Sequence, residues 1–93
     1  RQAYVDALNF LAGHAFEAGQ DAACVGHSRR LLAVEPADEA THRRLMRAYA
    51  RQNQRYPAIR PYQQCVEALR EHLAVAPDAD TVRLYESILR QSA

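Results

Sequence analysis

The chain has 93 residues and a formal net charge of +1, with 48% hydrophobic and 25% charged residues. This length allows one small domain, and the balance of residue types is that of a globular protein. Composition excludes collagen, a coiled-coil fibre, a disulfide scaffold and a membrane protein. The small net charge gives no overall field that would require nucleic acid or a membrane as partner.

The residue composition favours an all-α fold. Ala, Leu, Arg, Glu and Gln dominate, and these residues lose little conformational freedom in a helix. β-Branched residues are scarce, with six Val, two Ile and two Thr, and all 12 basic residues are arginine. We therefore expect helices joined by short connections.

The first two predicted helices are separated by Gly19, which fits the position just after a helix end. Before it, apolar residues recur at helical spacing, and the predicted stripe contains Tyr4, Leu8, Leu11 and Ala15, flanked by Val5, Ala12 and Phe16. The second helix is predicted over residues 21–34 and ends before Pro36. Its predicted inner face contains Cys24, Ser28, Leu31 and Leu32.

The third predicted helix starts at Asp38 and Glu39, because carboxylates are favoured at a helix N-terminus. It runs to about Gln52, with Asn53 as a left-handed stop. Its predicted inward residues are His42, Leu45, Met46 and Tyr49.

Prolines complicate the start of the fourth helix. Pro57 suits a first helical position, but Pro61 lacks an N–H and its ring crowds the preceding turn. We predict a tight turn over residues 56–60 and regular helix from Pro61 to Val75. The alternative is one continuous helix from Pro57 with a bend. The predicted inward residues are Tyr62, Cys65, Val66, Leu69 and Leu73.

The last helix is predicted to start near Asp78 or Asp80. We expect Leu69 and Leu73 of the preceding helix to cover it. Its predicted inward residues are Val82, Tyr85, Ile88 and Leu89.

An internal repeat with an offset of 34 residues relates the two halves of the chain. The offset places Leu11 on Leu45, Ala15 on Tyr49, Gly19 on Asn53 and Cys24 on Ala58. This period is typical of the tetratricopeptide repeat. We therefore predict a single tetratricopeptide-like domain over residues 1–93, with repeats at about 3–34 and 38–75 and a capping helix at about 78–91.

Several segments, taken in order, resemble a known family, the bacterial transcriptional activator domain. That domain is the tetratricopeptide-like module beside the winged-helix DNA-binding domain in antibiotic regulatory (SARP-type) and related activators. Where the family tends to have glycine before its final Val-x-Pro, this chain has Ala74. The matching segments are Leu31-Leu32-Ala33-Val34-Glu35-Pro36, Glu39-Ala40, His42-Arg43, Leu45-Met46-Arg47-Ala48, Tyr62, Leu69, Leu73-Ala74-Val75 before Pro77, Leu84-Tyr85 and Ile88-Leu89.

The resemblance implies a regulatory interaction domain that serves dimerisation, domain docking or contact with RNA polymerase. Its protein partners are then the regulator's own DNA-binding domain, a second protomer in a homodimer, or RNA polymerase. DNA is bound only through a domain absent from this chain. Since the first residue is Arg1 and not Met, we expect a fragment of a longer regulator. The alternative function is a general tetratricopeptide adaptor that binds a peptide or protein partner.

Two features of the predicted surface are candidate partner-binding sites. On the third helix the arginines at 43, 44, 47 and 51 project to the side opposite Leu45. This face is interpreted as a solvated surface, a protein contact or, as a third alternative, a phosphate-binding surface. Phe10 lies on the otherwise polar side of the first helix, where it packs on further helices or contacts a dimer partner or ligand. The candidate residues are Arg43, Arg44, Arg47, Arg51 and Phe10.

Cysteines and histidines give no pattern that predicts catalysis, and we expect no enzyme, metal or cofactor. Cys24 and Cys65 are interpreted as buried free thiols of a cytoplasmic protein. Cys24 and His27 could face one metal ion, but zinc needs three or four ligands. His42 is interpreted as a hydrogen-bonded core histidine.

Overall fold

The computed structural model describes residues 1–52 and 55–91, and all regular secondary structure in these ranges is α-helical. The predicted all-α fold is confirmed, as a helical-repeat array of two helix pairs followed by a capping helix. The predicted Asn53 stop lies outside the described residues. The helices are α1 (Gln2–Glu17), α2 (Asp21–Val34), α3 (Glu39–Arg51), α4 (Arg55–Leu73) and α5 (Ala79–Gln91).

Gly19 ends α1 through a hydrogen-bonded left-handed turn. Its φ of 74° places it in the region that L-residues with side chains disfavour. The Gly19 amide donates to the Phe16 carbonyl at 3.1 Å, and the Gln20 amide donates to the Ala15 carbonyl at 2.8 Å. These two bonds form a Schellman motif, which confirms the predicted glycine stop.

Acidic caps begin α3 and α5. The Asp38 carboxylate accepts a hydrogen bond from the Thr41 amide at 3.4 Å. The Asp78 carboxylate accepts one from the Thr81 amide at 3.2 Å. Each satisfies an amide that has no partner within its own helix, so both helices begin where their sequence signals place them.

Pro61 lies inside α4, so the predicted turn over residues 56–60 is wrong. The helix runs without a break from Arg55 to Leu73, as in the continuous alternative, although it starts before Pro57. An interior proline costs about 3 kcal/mol because one helical hydrogen bond is lost. The Pro61 side chain is fully buried, and this burial offsets part of that cost.

Leu73 does not cover α5, contrary to expectation. Leu69 is buried, but Leu73 is 58% exposed. The aromatic contact between α4 and α5 lies further back, where the rings of Tyr62 and Tyr85 stack with centroids 3.9 Å apart. The observed stacking between α4 and α5 thus lies about three turns before Leu73.

The end of α4 also differs from the prediction. The helix stops at Leu73, two residues before Val75, because Ala74 adopts a φ of 56°. The Ala74 amide still donates to the Arg70 carbonyl at 3.2 Å. Thus a non-glycine residue occupies a left-handed helix end.

The central helix is α3, which contacts each of the other four helices. The predicted inner faces of α2 to α5 are buried or half-buried apart from Leu73. In α1, by contrast, Tyr4 and Leu11 are exposed, because α2 and α3 pack on the side of Ala12. The buried apolar residues are Leu8, Ala12, Ala15, Cys24, Leu31, Leu45, Met46, Ala48, Cys65, Leu69 and Ile88.

Candidate functional site

Arg43 joins the start of α3 to the start of α5. Its Nη1 donates to Thr81 Oγ1 at 2.9 Å and lies 3.6 Å from Asp78 Oδ1. The same nitrogen is 4.0 Å from Oε2 of Glu39, one turn earlier in α3. Only 20% of the Arg43 side chain is exposed.

Glu39 completes this network from the other side. Its Oε2 accepts hydrogen bonds from Thr81 Oγ1 at 2.5 Å and from the Asp78 amide at 2.8 Å. Thr81 is fully buried, and a buried hydroxyl needs such a partner. We name the four residues Glu39, Arg43, Asp78 and Thr81 the α3–α5 junction, and we conclude that Arg43 holds the two helices together.

Arg51 connects the end of α3 with the first helix pair. Its Nε donates to Asp21 Oδ1 at 2.8 Å and its Nη2 donates to the Phe16 carbonyl at 2.7 Å. Its guanidinium also lies 3.9 Å above the Phe16 ring, in cation–π geometry. The hydrogen bond to Asp21 raises the pKa of Arg51.

Arg44 reaches α1 through an uncharged partner. Its Nη1 donates to Asn9 Oδ1 at 3.1 Å. A Cβ atom added to Gly13 would lie 3.7 Å from Arg44 Nη2, so the guanidinium lies against the backbone of α1. The structure gives Arg44 a hydrogen bond within the described ranges but no ion pair.

Arg47 differs from the other three arginines. It is exposed, and among residues 1–52 and 55–91 its side chain makes no hydrogen bond or ion pair. Arg43, Arg44 and Arg51 thus contact α5 or the first helix pair within the domain, and the role of the four arginines in partner binding stays a prediction. A helical projection missed these contacts because α1 and α5 flank α3 on the side opposite Leu45.

A groove of about 310 Å³ runs beside Arg47, between α3 and α5. We name it the α3–α5 groove. Its apolar lining comes from α1, α3 and α5, its polar atoms come from two arginines, a serine and a glutamine, and its described lining includes no acidic residue. The lining residues are Phe16, Arg47, Ala50, Arg51, Leu84, Ser87, Ile88 and Gln91.

Phe10 lies on α1 and is 70% exposed. Its ring stacks on His14 with centroids 6.0 Å apart and an interplanar angle of 11°. Phe10 does not line the α3–α5 groove, so it forms a separate candidate contact. Its role as a binding residue stays a prediction.

The cysteines are buried free thiols. Burial raises the pKa of Cys24 and raises that of Cys65 to about 12, so both are protonated at neutral pH. His27 accepts a hydrogen bond at Nδ1 from Arg30 at 2.9 Å. Within the described part of the chain, no three His, Cys, Asp or Glu residues are grouped to hold a metal ion.

His42 is a buried, hydrogen-bonded histidine. Burial lowers its pKa, so the ring is neutral at pH 7. Its Nε2–H donates to the Pro36 carbonyl at 2.8 Å. The ring therefore fixes the connection between α2 and α3.

Comparison with known families assigns the chain to one of them. The sequence model of the bacterial transcriptional activator domain matches residues 1–89. The chain belongs to this family. No curated protein and no solved structure matches the sequence of this activator domain. None of the helices described for the domain is long and apolar enough to span a membrane.

Sequence reasoning missed the α3–α5 junction of this activator domain, although two local signals for it were present. Glu39 and Arg43 have the i,i+4 spacing of a helical ion pair. Asp78 and Thr81 have the spacing of a cap and the amide that it accepts. Each signal predicts a local pair, whereas their meeting depends on the position of α5 against α3.

Proposed function

We propose that this chain is a non-enzymatic interaction domain through which a bacterial transcriptional activator contacts another protein. Family membership supports the regulatory role. The observation that carries the protein contact is Arg47, an exposed guanidinium without a described partner beside a groove with apolar walls. Since bacterial transcription takes place in the cytoplasm, the proposal places the chain there.

Three protein partners are compatible with this surface: the activator's own DNA-binding domain, a second protomer and RNA polymerase. DNA is bound through a separate domain in this proposal, because the two α3 arginines without a described acidic partner, Arg44 and Arg47, supply little of the multiple phosphate neutralisation that DNA binding requires. No cofactor is needed for such a contact.

Reversal of the Arg47 charge tests the proposal. We expect Arg47→Glu, placed in the gene that encodes this chain, to reduce transcripts of the regulated genes at equal protein level. The matched control is Arg83→Glu, since Arg83 is exposed on α5 and pairs only with exposed Asp80 in the described ranges. Unchanged transcripts in the Arg47 variant, measured by RNA sequencing, contradict the proposal.

A photo-cross-linking amino acid at position 47 identifies which partner is present. A cross-link inside the same polypeptide indicates the activator's DNA-binding domain, one between two copies indicates dimerisation, and one to a polymerase subunit indicates polymerase contact. Phe10→Ser in the same transcript measurement tests the separate contact on α1.

A general tetratricopeptide adaptor is the second candidate function. The α3–α5 groove favours it, because a concave, partly apolar surface suits a bound segment. If the chain is an adaptor unrelated to transcription, Arg47→Glu leaves the transcripts unchanged but abolishes binding of the partner protein.

A further inference from the structure

We propose that the α3–α5 groove binds an acidic segment of a partner protein and takes one of its apolar side chains between α3 and α5. This inference rests on the proposed protein-interaction function and adds the chemistry of the partner. The argument depends on which arginines are already neutralised within the domain.

The arginines of α3 divide into two pairs. Arg43 lies near Glu39 and Asp78, and Arg51 pairs with Asp21, so both have acidic partners. The hydrogen-bond partner of Arg44 is the neutral Asn9, and Arg47 has none within the described ranges.

Arg44 and Arg47 therefore present two uncompensated positive charges three residues apart on one helix. Like charges at this spacing repel each other by a few tenths of a kcal/mol. Arg47 lines the groove and Arg44 does not, so a carboxylate bound in the groove beside Arg47 lowers that repulsion. Charge complementarity thus favours an acidic occupant.

The lining of the groove determines the second property of the occupant. Ala50, Leu84 and Ile88 give it apolar walls, and Ser87 and Gln91 add hydrogen-bonding groups from α5. Its volume of about 310 Å³ lies at the lower end of the range of small-molecule sites, ~300–1,000 Å³. It therefore suits one or two side chains of a protein segment.

A protein segment fits these observations better than nucleic acid. Two uncompensated guanidiniums neutralise few phosphates, and the described lining offers no aromatic face placed for base stacking other than Phe16, which Arg51 already covers. Apolar walls also contribute nothing to phosphate binding.

The test is a titration of the isotope-labelled 93-residue chain with short amidated peptides, followed by NMR. A peptide of alternating Glu and Leu should shift the amide signals of Arg47, Ala50 and Ser87. A Lys-Leu peptide of the same length should not, and a Glu-Ser peptide should bind more weakly because it lacks the apolar side chains.

Charge variants identify the groove as the binding site. Arg47→Glu should weaken binding of the Glu-Leu peptide by about 10-fold or more, equivalent to about 1.4 kcal/mol, and should bind the Lys-Leu peptide more tightly than wild type does. The control Arg83→Glu should stay within about twofold of wild type, because Arg83 does not line the groove and exposed charges contribute little. If Arg47→Glu fails to fold by circular dichroism, Ser87→Glu introduces the opposing charge from α5.

Three results overturn the inference. Equal effects of the Arg47 and Arg83 substitutions mean that the peptide binds by net charge alone. Tighter binding of a DNA duplex at the same residues assigns the surface to nucleic acid. Shifts of the groove signals with protein concentration, together with a dimer in sedimentation, assign it to a second copy.

The two proposals fail in different ways. Peptide binding at the groove with unchanged transcripts in Arg47→Glu contradicts the regulatory function and leaves the peptide site in place. Loss of transcripts without peptide binding contradicts the acidic-segment inference and leaves the regulatory function in place.

Discussion

Two successive turns of α3 use the same residue type on the same face in opposite ways. Near the start of the helix, Arg43 lies among Glu39, Asp78 and Thr81 and is largely buried. One turn further along, Arg47 projects from the same face, is exposed and has no described partner. The difference lies in the neighbouring residues. Asp78, just before α5, and Thr81 within it give Arg43 a carboxylate and a hydroxyl, whereas Arg47 has a groove with apolar walls beside it.

This comparison shows that a charged side chain on a central helix takes its role from the elements beside it. A matched charge stabilises the fold, because a partly buried ion that loses its partners is costly. An unmatched charge on the surface contributes little to stability and is available to a partner.

Removal of Glu39, the carboxylate beside Arg43, should have the largest effect on stability. We expect Glu39→Ala to lower the free energy of unfolding by about 2–3 kcal/mol, because the Thr81 hydroxyl and the Asp78 amide lose an acceptor and Arg43 loses a nearby carboxylate. Urea denaturation measures this difference. The control Asp80→Ala removes an exposed carboxylate that pairs with Arg83, and we expect a loss of no more than about 0.5 kcal/mol. Equal losses in the two variants would show that the junction adds no stability.

A similar contrast occurs at two helix ends, where the same left-handed backbone conformation suits one residue and not the other. Gly19 and Ala74 both have positive φ, of 74° and 56°. Glycine adopts this conformation freely, whereas the Cβ of alanine collides with the following carbonyl oxygen. Ala74 thus holds a backbone conformation that its side chain disfavours.

Substitution of Ala74 by glycine should stabilise the domain. We expect Ala74→Gly to raise the free energy of unfolding by about 0.5–1 kcal/mol, after the greater backbone entropy of glycine in the unfolded chain is subtracted. Ala7→Gly, within exposed α1, should lower it by a similar amount and serves as control. A loss of stability in Ala74→Gly contradicts a strained helix end.

Acid should weaken the connection between α2 and α3 through His42. Burial lowers the pKa of His42 in the fold, so below its unfolded value of about 6.5 the unfolded state binds more protons than the folded state. The hydrogen bond to the Pro36 carbonyl and the charges of Asp38 and Glu39 act to raise the pKa, but burial dominates. Stability contributed by the neutral ring is therefore present above about pH 6.5 and is lost as the pH falls through the folded pKa.

The measurement is urea denaturation between neutral pH and about pH 5, compared with His42→Gln. We expect the variant to lose part of the pH dependence that wild type shows, because it removes the titrating group. His14→Gln removes a histidine from the exposed side of α1 and serves as the matched control. Identical pH profiles of wild type and His42→Gln contradict the assignment.

Local signals predicted the end of α1, both ends of α2 and the starts of α3 and α5, but neither end of α4. Gly19 and Asp38 each announce a boundary through chemistry within a few residues, and the range 21–34 agrees with α2 as observed. Pro61 misled the prediction because its local cost is real, whereas its compensation by burial depends on neighbouring helices. Leu73 failed for a related reason, since the point at which α5 crosses α4 is set by tertiary packing.

The sequence predicted which arginines lie at the candidate site but not what each of them contacts. Sequence placed Arg43, Arg44, Arg47 and Arg51 on one face of α3, and the structure does the same. A projection of one helix contains no information about its neighbours, so it does not distinguish a junction residue from a free one. Family resemblance supplied the regulatory context, which no arrangement of these side chains gives by itself.

Arg47 should give the smallest effect on stability, and this result is what links the two proposals to the fold. We expect Arg47→Ala to change the free energy of unfolding by no more than about 0.5 kcal/mol, because the side chain is exposed and loses no described contact. Arg43→Ala, one turn earlier on the same helix, should cost several times more. A loss above about 1 kcal/mol in Arg47→Ala contradicts the comparison, since Arg47 then stabilises the fold. In that case reduced transcripts or weaker peptide binding in an Arg47 variant reflect unfolding, whereas a fully stable variant assigns both losses to the surface itself.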